Sequence, residues 1–278
     1  MFVRDLFGAT RSNPANTYRL AIRRETPDFR LVALTEPPPS KKDDRSAAPR
    51  GLLLRSGETT AVKVLAIRRD GFAGEIELSA EALPDGVKCM PAKIEAGKTE
   101  GLLLLTANEK PAKACVAFRV IGKAKIGGNE IRREASGGAV VWSVADFNID
   151  AVPSRFTADF VLAVNGAEAA PIRIEAAEDK VWQAKAGEQL QIPLKITRSA
   201  EFKEPLKLKA AGIAAIDAMK EIDADAKAAT VNATLDLKVL KLPAGENTIF
   251  FSTQTKGKYR TKDTTVTVYS APIRIAIQ

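Results

Sequence analysis

The chain has 278 residues, with 42 Lys+Arg against 34 Asp+Glu, two cysteines and no histidine. A length of this order suggests about two domains, and 45% hydrophobic with 27% charged residues excludes a collagen-like or wholly disordered chain. Without histidine, Ser-His-Asp and Cys-His nucleophiles cannot be assembled and most zinc sites are lost, so no cofactor is expected.

In chain order, MFVRDLFGATRSNP lacks the apolar stretch of a signal peptide. Residues 36–50, EPPPSKKDDRSAAPR, hold four prolines among mixed charges and read as a linker. Residues 61–68 alternate, with Val62, Val64 and Ala66 on one face, and residues 75–78 turn Ile76 and Leu78 inward. That period of two is the mark of a half-buried strand. RDGF at 69–72, LPDG at 83–86 and AGK at 96–98 supply turns, and LPAGEN at 242–247 supplies another. Leu190, Ile192, Leu194 and Ile196 repeat the alternation, followed by Leu206 and Leu208. Residues 210–230 are rich in Ala, Lys and Glu, a helical composition, yet their place in the repeat described next predicts strand and turn. KGKYRTK at 256–262 lies between two strand-like runs and reads as a hairpin tip.

Sliding the chain against itself so that Arg55 meets Lys185 superposes Gly57, Glu58, Arg68, Phe72 and Leu78 on Gly187, Glu188, Arg198, Phe202 and Leu208. Val62 then meets Ile192 and Val64 meets Leu194. With a gap, DFRLVA from Asp28 meets DFVLAV from Asp159. The repeat predicts an all-β fold of two tandem antiparallel β-sandwich domains, at 26–148 and 149–278.

The net charge of +8 is diffuse: ten cations and six anions in 1–50, fourteen and thirteen in 51–150, eighteen and fifteen beyond. No basic stripe points to nucleic acid. No apolar run approaches the roughly 18 residues of a membrane span, so a soluble chain without membrane insertion is expected. Glu75 and Glu77 stand two apart on a solvent-facing strand, but Pro205 and Lys207 replace them in the second copy, the pattern of ordinary surface. Asp217, Glu221, Asp223 and Asp225 match no calcium loop. Cys89 and Cys115 can form a disulfide if their strands face each other, or serve as two small buried hydrophobes. Trp142 and Trp182 are either core residues or a stacking platform for a sugar.

RRDGFAGEIELSAEALPDGV at 68–87 and KIEAGKTEGLLLLTA from Lys93 resemble the Ig-like modules of large secreted bacterial proteins, frequently planctomycete ones. YRLAIRRETPDFRLVAL at 18–34 resembles the end of a bacterial pre-peptidase C-terminal (PPC) domain running into such a module. The resemblance implies tandem Ig-like antiparallel β-sandwich domains, preceded at 1–25 by the remnant of another β domain, and an export route to the cell envelope or beyond, and carries over no active-site residue. It implies a longer polypeptide upstream of this chain. The expected role is a non-catalytic structural or binding module with a protein or glycan partner; the alternative is a carbohydrate-binding or accessory domain of a secreted peptidase.

Overall fold

Wherever aliphatic residues alternate, the chain is strand. The computed structural model describes residues 22–35, 51–140, 154–259 and 262–278. Residues 1–21 of the expected domain remnant, the linker at 36–50 and Trp142 lie outside the described residues; residues 22–25 carry no regular structure.

The first sandwich is made of β1 (Asp28–Thr35), β2 (Gly51–Ser56), β3 (Thr59–Arg69), β4 (Ile76–Glu81), β5 (Val87–Cys89), β6 (Ala92–Ile94), β7 (Glu100–Ala107), β8 (Ala114–Ile126), β9 (Asn129–Glu134), β10 (Ser136–Val140), β11 (Ser154–Thr157) and β12 (Phe160–Ala169). One sheet runs β11-β10-β1-β3-β7-β5 and the other β2-β12-β8-β4-β6, with β9 on β8. The second sandwich is made of β13 (Ile172–Ala176), β14 (Trp182–Ala184), β15 (Gln189–Arg198), β16 (Leu206–Ala211), β17 (Ile222–Ala224), β18 (Thr230–Asp236), β19 (Gly245–Tyr259), β20 (Lys262–Tyr269) and β21 (Ile273–Ile277). Its sheets run β13-β15-β18 and β14-β21-β19-β16-β17, with β20 on β19. Two mainly antiparallel sheets over one core, twice, make the protein a tandem of Ig-like sandwiches. The antiparallel pairing of β19 with β20 runs up to Tyr259 opposite Lys262, so the strands on either side of the expected hairpin tip are joined, while residues 260 and 261 lie outside the described residues.

Strand pairing extends the sequence repeat and corrects one part of it. Leu31 of β1 stands opposite Ala66, and Ile174 of β13 opposite Ile196, so β13 is the counterpart of β1. The segment from Asp159, aligned with Asp28 on a shared Asp-Phe, is instead the last strand of the first sandwich: β12 pairs antiparallel with β8, Phe160 facing Phe118, and parallel with β2. Its counterpart is β21, antiparallel to β19 and parallel to β14. The boundary at 148/149 therefore moves to the Ala170–Pro171 bond. The Ala170 amide donates to Ser56 of the first sandwich (2.9 Å), and the Pro171 carbonyl accepts from Ser199 of the second (2.8 Å).

Within residues 210–230 strand is confined to Ala210–Ala211, Ile222–Ala224 and Thr230, and Ala214–Ala218 form a 3-10 turn where the first copy carries the end of its Pro-Asp-Gly turn and β5. Alanine's helical preference is realised in a stretch that no strand pairing claims. A second short helix, α1 (Leu237–Leu240), starts where the Asp236 side chain accepts from the amides of Lys238 and Val239.

Each sandwich closes over its own core. Phe29, Leu54, Ile76, Leu78, Leu103 and Leu105 fill the first, and Ile174, Ile192, Leu194, Leu208 and Phe251 the second. The repeated Gly-Glu pair serves as a turn. Gly57 (φ 68°) and Gly187 (φ 85°) take the left-handed conformation that favours glycine. Glu58 and Glu188 reach back to the amides of Arg55 (2.7 Å) and Lys185 (3.0 Å).

Burial pushes the Glu58 carboxyl above its ordinary range, against the opposing pull of Arg55. The folded state thus holds this proton more tightly than the unfolded state, and its contribution to stability grows as pH falls from neutral toward the ordinary glutamate value. Glu58→Gln carries no such slope. In urea unfolding from pH 7 to 4, the stability difference between wild type and Glu58→Gln should move in favour of wild type as pH falls; a constant difference contradicts the assignment.

Candidate functional site

The four-leucine run at 102–105 breaks the alternation that a strand with one wet face would show. Leu103 and Leu105 point into the first core, while Leu104, with Ala61 on β3, is buried on the opposite face. What covers them is the second sandwich. Phe250 of β19 and Tyr269 of β20, ring centroids 6.1 Å apart, join Ala61 and Leu104 in one cluster flanked by Leu102 and Ala211. The run Ile249-Phe250-Phe251 has the same logic: Ile249 and Phe251 face inward and Phe250 faces the joint.

Polar contacts frame this apolar centre. Arg173 of β13 donates to Glu109 (3.1 Å) and Glu175 (3.0 Å), and the three groups form a bridge across the seam. On the far side, the Glu95 carboxylate accepts from the Ala214 amide (2.9 Å) at the start of the 3-10 turn. Arg173 also lies over the Gly57 turn, where a side chain would meet its Cδ at 2.8 Å.

Beside the joint runs a cleft. One part, of 460 Å³, has Met90, Pro91, Leu104, Ile213, Phe250 and Pro272 as its apolar lining, with Glu75, Glu77, Lys93, Lys123 and Glu246 around them. A second part, of 300 Å³, shares Lys93, Leu102, Gly212, Ile213 and Phe250 and adds Lys63, Lys98, Glu95, Glu100 and Asp217. Half of these charges are already matched: Lys93 with Glu75 (3.0 Å), Lys63 with Glu100 (2.8 Å), Lys123 with Glu130 (2.9 Å). Glu77 sits in register between Lys93 of β6 and Lys123 of β8. Acid and base alternate around the cleft with no convergent excess of either sign. Among the described residues no group of three His, Cys, Asp or Glu side chains is placed to hold a metal ion.

The structure places the sequence candidates as follows. Glu75 and Glu77 do share a cavity wall, but as members of ion-paired strands. Asp217, Glu221, Asp223 and Asp225 are exposed, and the Asp225 carbonyl is spent on Arg198. Trp182 is 8% exposed within the second core, with Lys180 Nζ 4.3 Å from its ring centroid, and so is no platform for a sugar. Cys89 and Cys115 are free thiols, and the disulfide considered from sequence is not formed. They lie in opposite sheets, on β5 and β8, and the Cys115 side chain faces solvent, away from the core.

Burial pushes the Cys89 thiol up to about 11, which keeps it out of the reactive thiolate form. A water-soluble disulfide reagent should therefore modify Cys115 rapidly in the native chain and Cys89 only after unfolding. Intact-mass measurement of one fast adduct, abolished in Cys115→Ser, checks this; two fast adducts or none contradicts it.

No protein-family model matches the chain, and no curated protein matches it. Among solved structures, the D00-D0 domain of intimin is 8% identical and aligns over 90% of this chain and 100% of its own, with a TM-score of 0.25. Domains 4–9 of the surface layer protein SbsC are 11% identical over 84% of this chain and 31% of theirs, with a TM-score of 0.28. The D1–D4 ectodomain fragment of ICAM-5 is 10% identical over 90% of this chain and 51% of its own, with a TM-score of 0.25. Likenesses this distant carry no argument about function, which rests on the residues above. No helix among the described residues is long and apolar enough to cross a membrane.

Proposed function

We propose that the chain is a non-catalytic structural and binding module of an exported bacterial protein, presenting the loops at the ends of its sandwiches to a protein or glycan partner. One observation carries this reading: the polar residues that recur between the two copies are spent on backbone. Gly-Glu makes a turn, and the repeated arginines hold carbonyls, Arg68 those of Gly74, Glu95 and Lys98, Arg198 those of Glu204 and Asp225. A scaffold that invests its repeated side chains in holding its own loops leaves those loop sequences free to vary for recognition. The resemblance of residues 18–34 and 68–87 to PPC-linked Ig-like modules supports export. The glycan-stacking alternative has lost Trp182 to the core.

The test is a panel of peptide, ester and glycoside substrates offered to the purified chain. No turnover is expected; turnover abolished by Glu75→Gln or Glu77→Gln would overturn the reading, because those two carboxylates line the cleft beside the joint.

A further inference from the structure

Each sandwich carries, in equivalent places, both of the faces that the joint uses, yet each uses only one. The first sandwich contributes Ala61, Leu102 and Leu104; the second contributes Ala211, Phe250 and Tyr269. Strand register identifies the unused counterparts. Ala61 opposes Leu104 and Lys63 opposes Leu102, as Gln191 opposes Thr234 and Pro193 opposes Asn232. Gln191, Asn232 and Thr234 thus stand where the first sandwich has Ala61, Leu102 and Leu104, and all three are exposed. In the other direction, Ala211 opposes Phe250 as Glu81 opposes Arg119, and Tyr269 opposes Ser252 as Glu134 opposes Ile121. Glu81, Arg119 and Glu134 therefore replace Ala211, Phe250 and Tyr269.

The substitutions run one way. Where the joint forms, Ala61, Leu104, Phe250 and Tyr269 are buried and Leu102 and Ala211 half-buried. At the counterparts, Glu81 is engaged by Arg132 at 2.9 Å and Arg119 at 3.5 Å. Docking a third sandwich there would strip water from three charged groups, while the Gln191 face offers in return only the half-buried Pro193 as an apolar side chain beside Gln191, Asn232 and Thr234. Polar outer faces are what end a stack of repeats.

We propose that the joint is a docking surface for one partner only, the chain's own second sandwich, and that the polar counterparts close the pair at both ends against stacking of a further copy in the same manner. The two sandwiches are then a self-terminated unit, and any further module must attach by other contacts.

Two measurements on the full chain test this. In the first, Glu81→Ala, Arg119→Phe and Glu134→Tyr are combined with Gln191→Ala, Asn232→Leu and Thr234→Leu, so that both ends copy the joint. At a chain concentration on the order of 1 mM, comparable with the effective concentration of a short tether, sedimentation should show wild type as a monomer. The six-fold variant should form open head-to-tail assemblies of at least about twice its mass. A folded six-fold variant as monomeric as wild type, or wild type growing in the same way, overturns the proposal. The second measurement holds should that variant not fold. Ala61→Gln, Leu102→Asn and Leu104→Thr give the first sandwich the residues of its own counterpart. Small-angle scattering should then show an increased maximum dimension with both cores intact by circular dichroism; an unchanged dimension overturns the proposal.

Discussion

Phe251→Ala is expected to unfold the second sandwich at a markedly lower denaturant concentration while the first sandwich keeps its own transition. Phe251 is 0% exposed, on β19, and packs with Ile192, Leu194, Leu208 and Ile275 in a core that shares no residue with the first. Truncating a buried phenylalanine costs about 3–5 kcal/mol through lost transfer energy and the cavity left behind. That is a large share of the roughly 5–15 kcal/mol by which a domain of this size is stable. Among the described residues a small apolar cluster and a few polar bridges link the sandwiches, so the loss should pass to the first one weakly. The chain has two tryptophans, and Trp182 belongs to the second core. In a Trp142→Phe background, indole fluorescence therefore follows the second sandwich, while far-ultraviolet circular dichroism follows both. The expected outcome is a fluorescence midpoint shifted well below the second step of the dichroism curve. Coincident curves in the variant, both shifted, would instead mean one cooperative unit.

The same division explains what could be read from residues alone. Alternation at Val62, Val64 and Ala66, and again at Leu190, Ile192 and Leu194, imposes strands with one buried face, and a second copy of the pattern requires a second core. Pairing partners were less legible. β12 has the alternation of a strand, but whether Phe160 faces Phe118 or opens the next sandwich depends on contacts between residues some forty positions apart. The Asp-Phe dipeptide shared by Asp28 and Asp159 points instead to an equivalence that the strand pairing does not have. The joint left a readable signal in Leu102–Leu105 and in Phe250 beside Phe251: consecutive large apolar residues on a strand mean that both faces are covered. Trp182 gave no such clue, since a lone tryptophan at a strand start looks the same whether it fills a core or a binding platform. Cys89 and Cys115 are similar, because reach between two thiols depends on sheet assignment and facing, neither of which their local sequence contains.

Arg68→Leu and Arg198→Leu test whether the repeated residues are scaffold. Both arginines end the inward row of a strand, and burial lowers the basicity of both guanidinium groups from its ordinary value. Arg68 donates to the carbonyls of Gly74 (2.5 Å), Lys98 (2.8 Å) and Glu95 (3.0 Å), with its guanidinium carbon 5.2 Å from the Phe72 ring centroid. Arg198 holds the equivalent carbonyls of Glu204 (2.6 Å) and Asp225 (3.0 Å). One planar fork thereby ties the turn after β3 to the turn before β7, and its counterpart ties the turn after β15 to the turn before β18. Leucine fills the space but leaves up to three acceptors without a donor. Some will rehydrate, because these loops are partly exposed, so each variant should lose about 2 kcal/mol, near the middle of the range for bonds to charged groups. The loss should be confined to the sandwich that carries the change. Arg68→Lys should recover little, since a point-like ammonium cannot span carbonyls that the fork reaches together. Hydrogen exchange gives the local readout. The Gly97 and Lys98 amides, bonded to Ala73 and Glu95, should exchange faster in Arg68→Leu, while the Ala228 amide, bonded to Asp225, should change only in Arg198→Leu. Unchanged stability in both variants would remove the main ground for treating the repeated polar residues as structural, and with it the strongest reason to look for recognition in the loops and not in the residues the copies share.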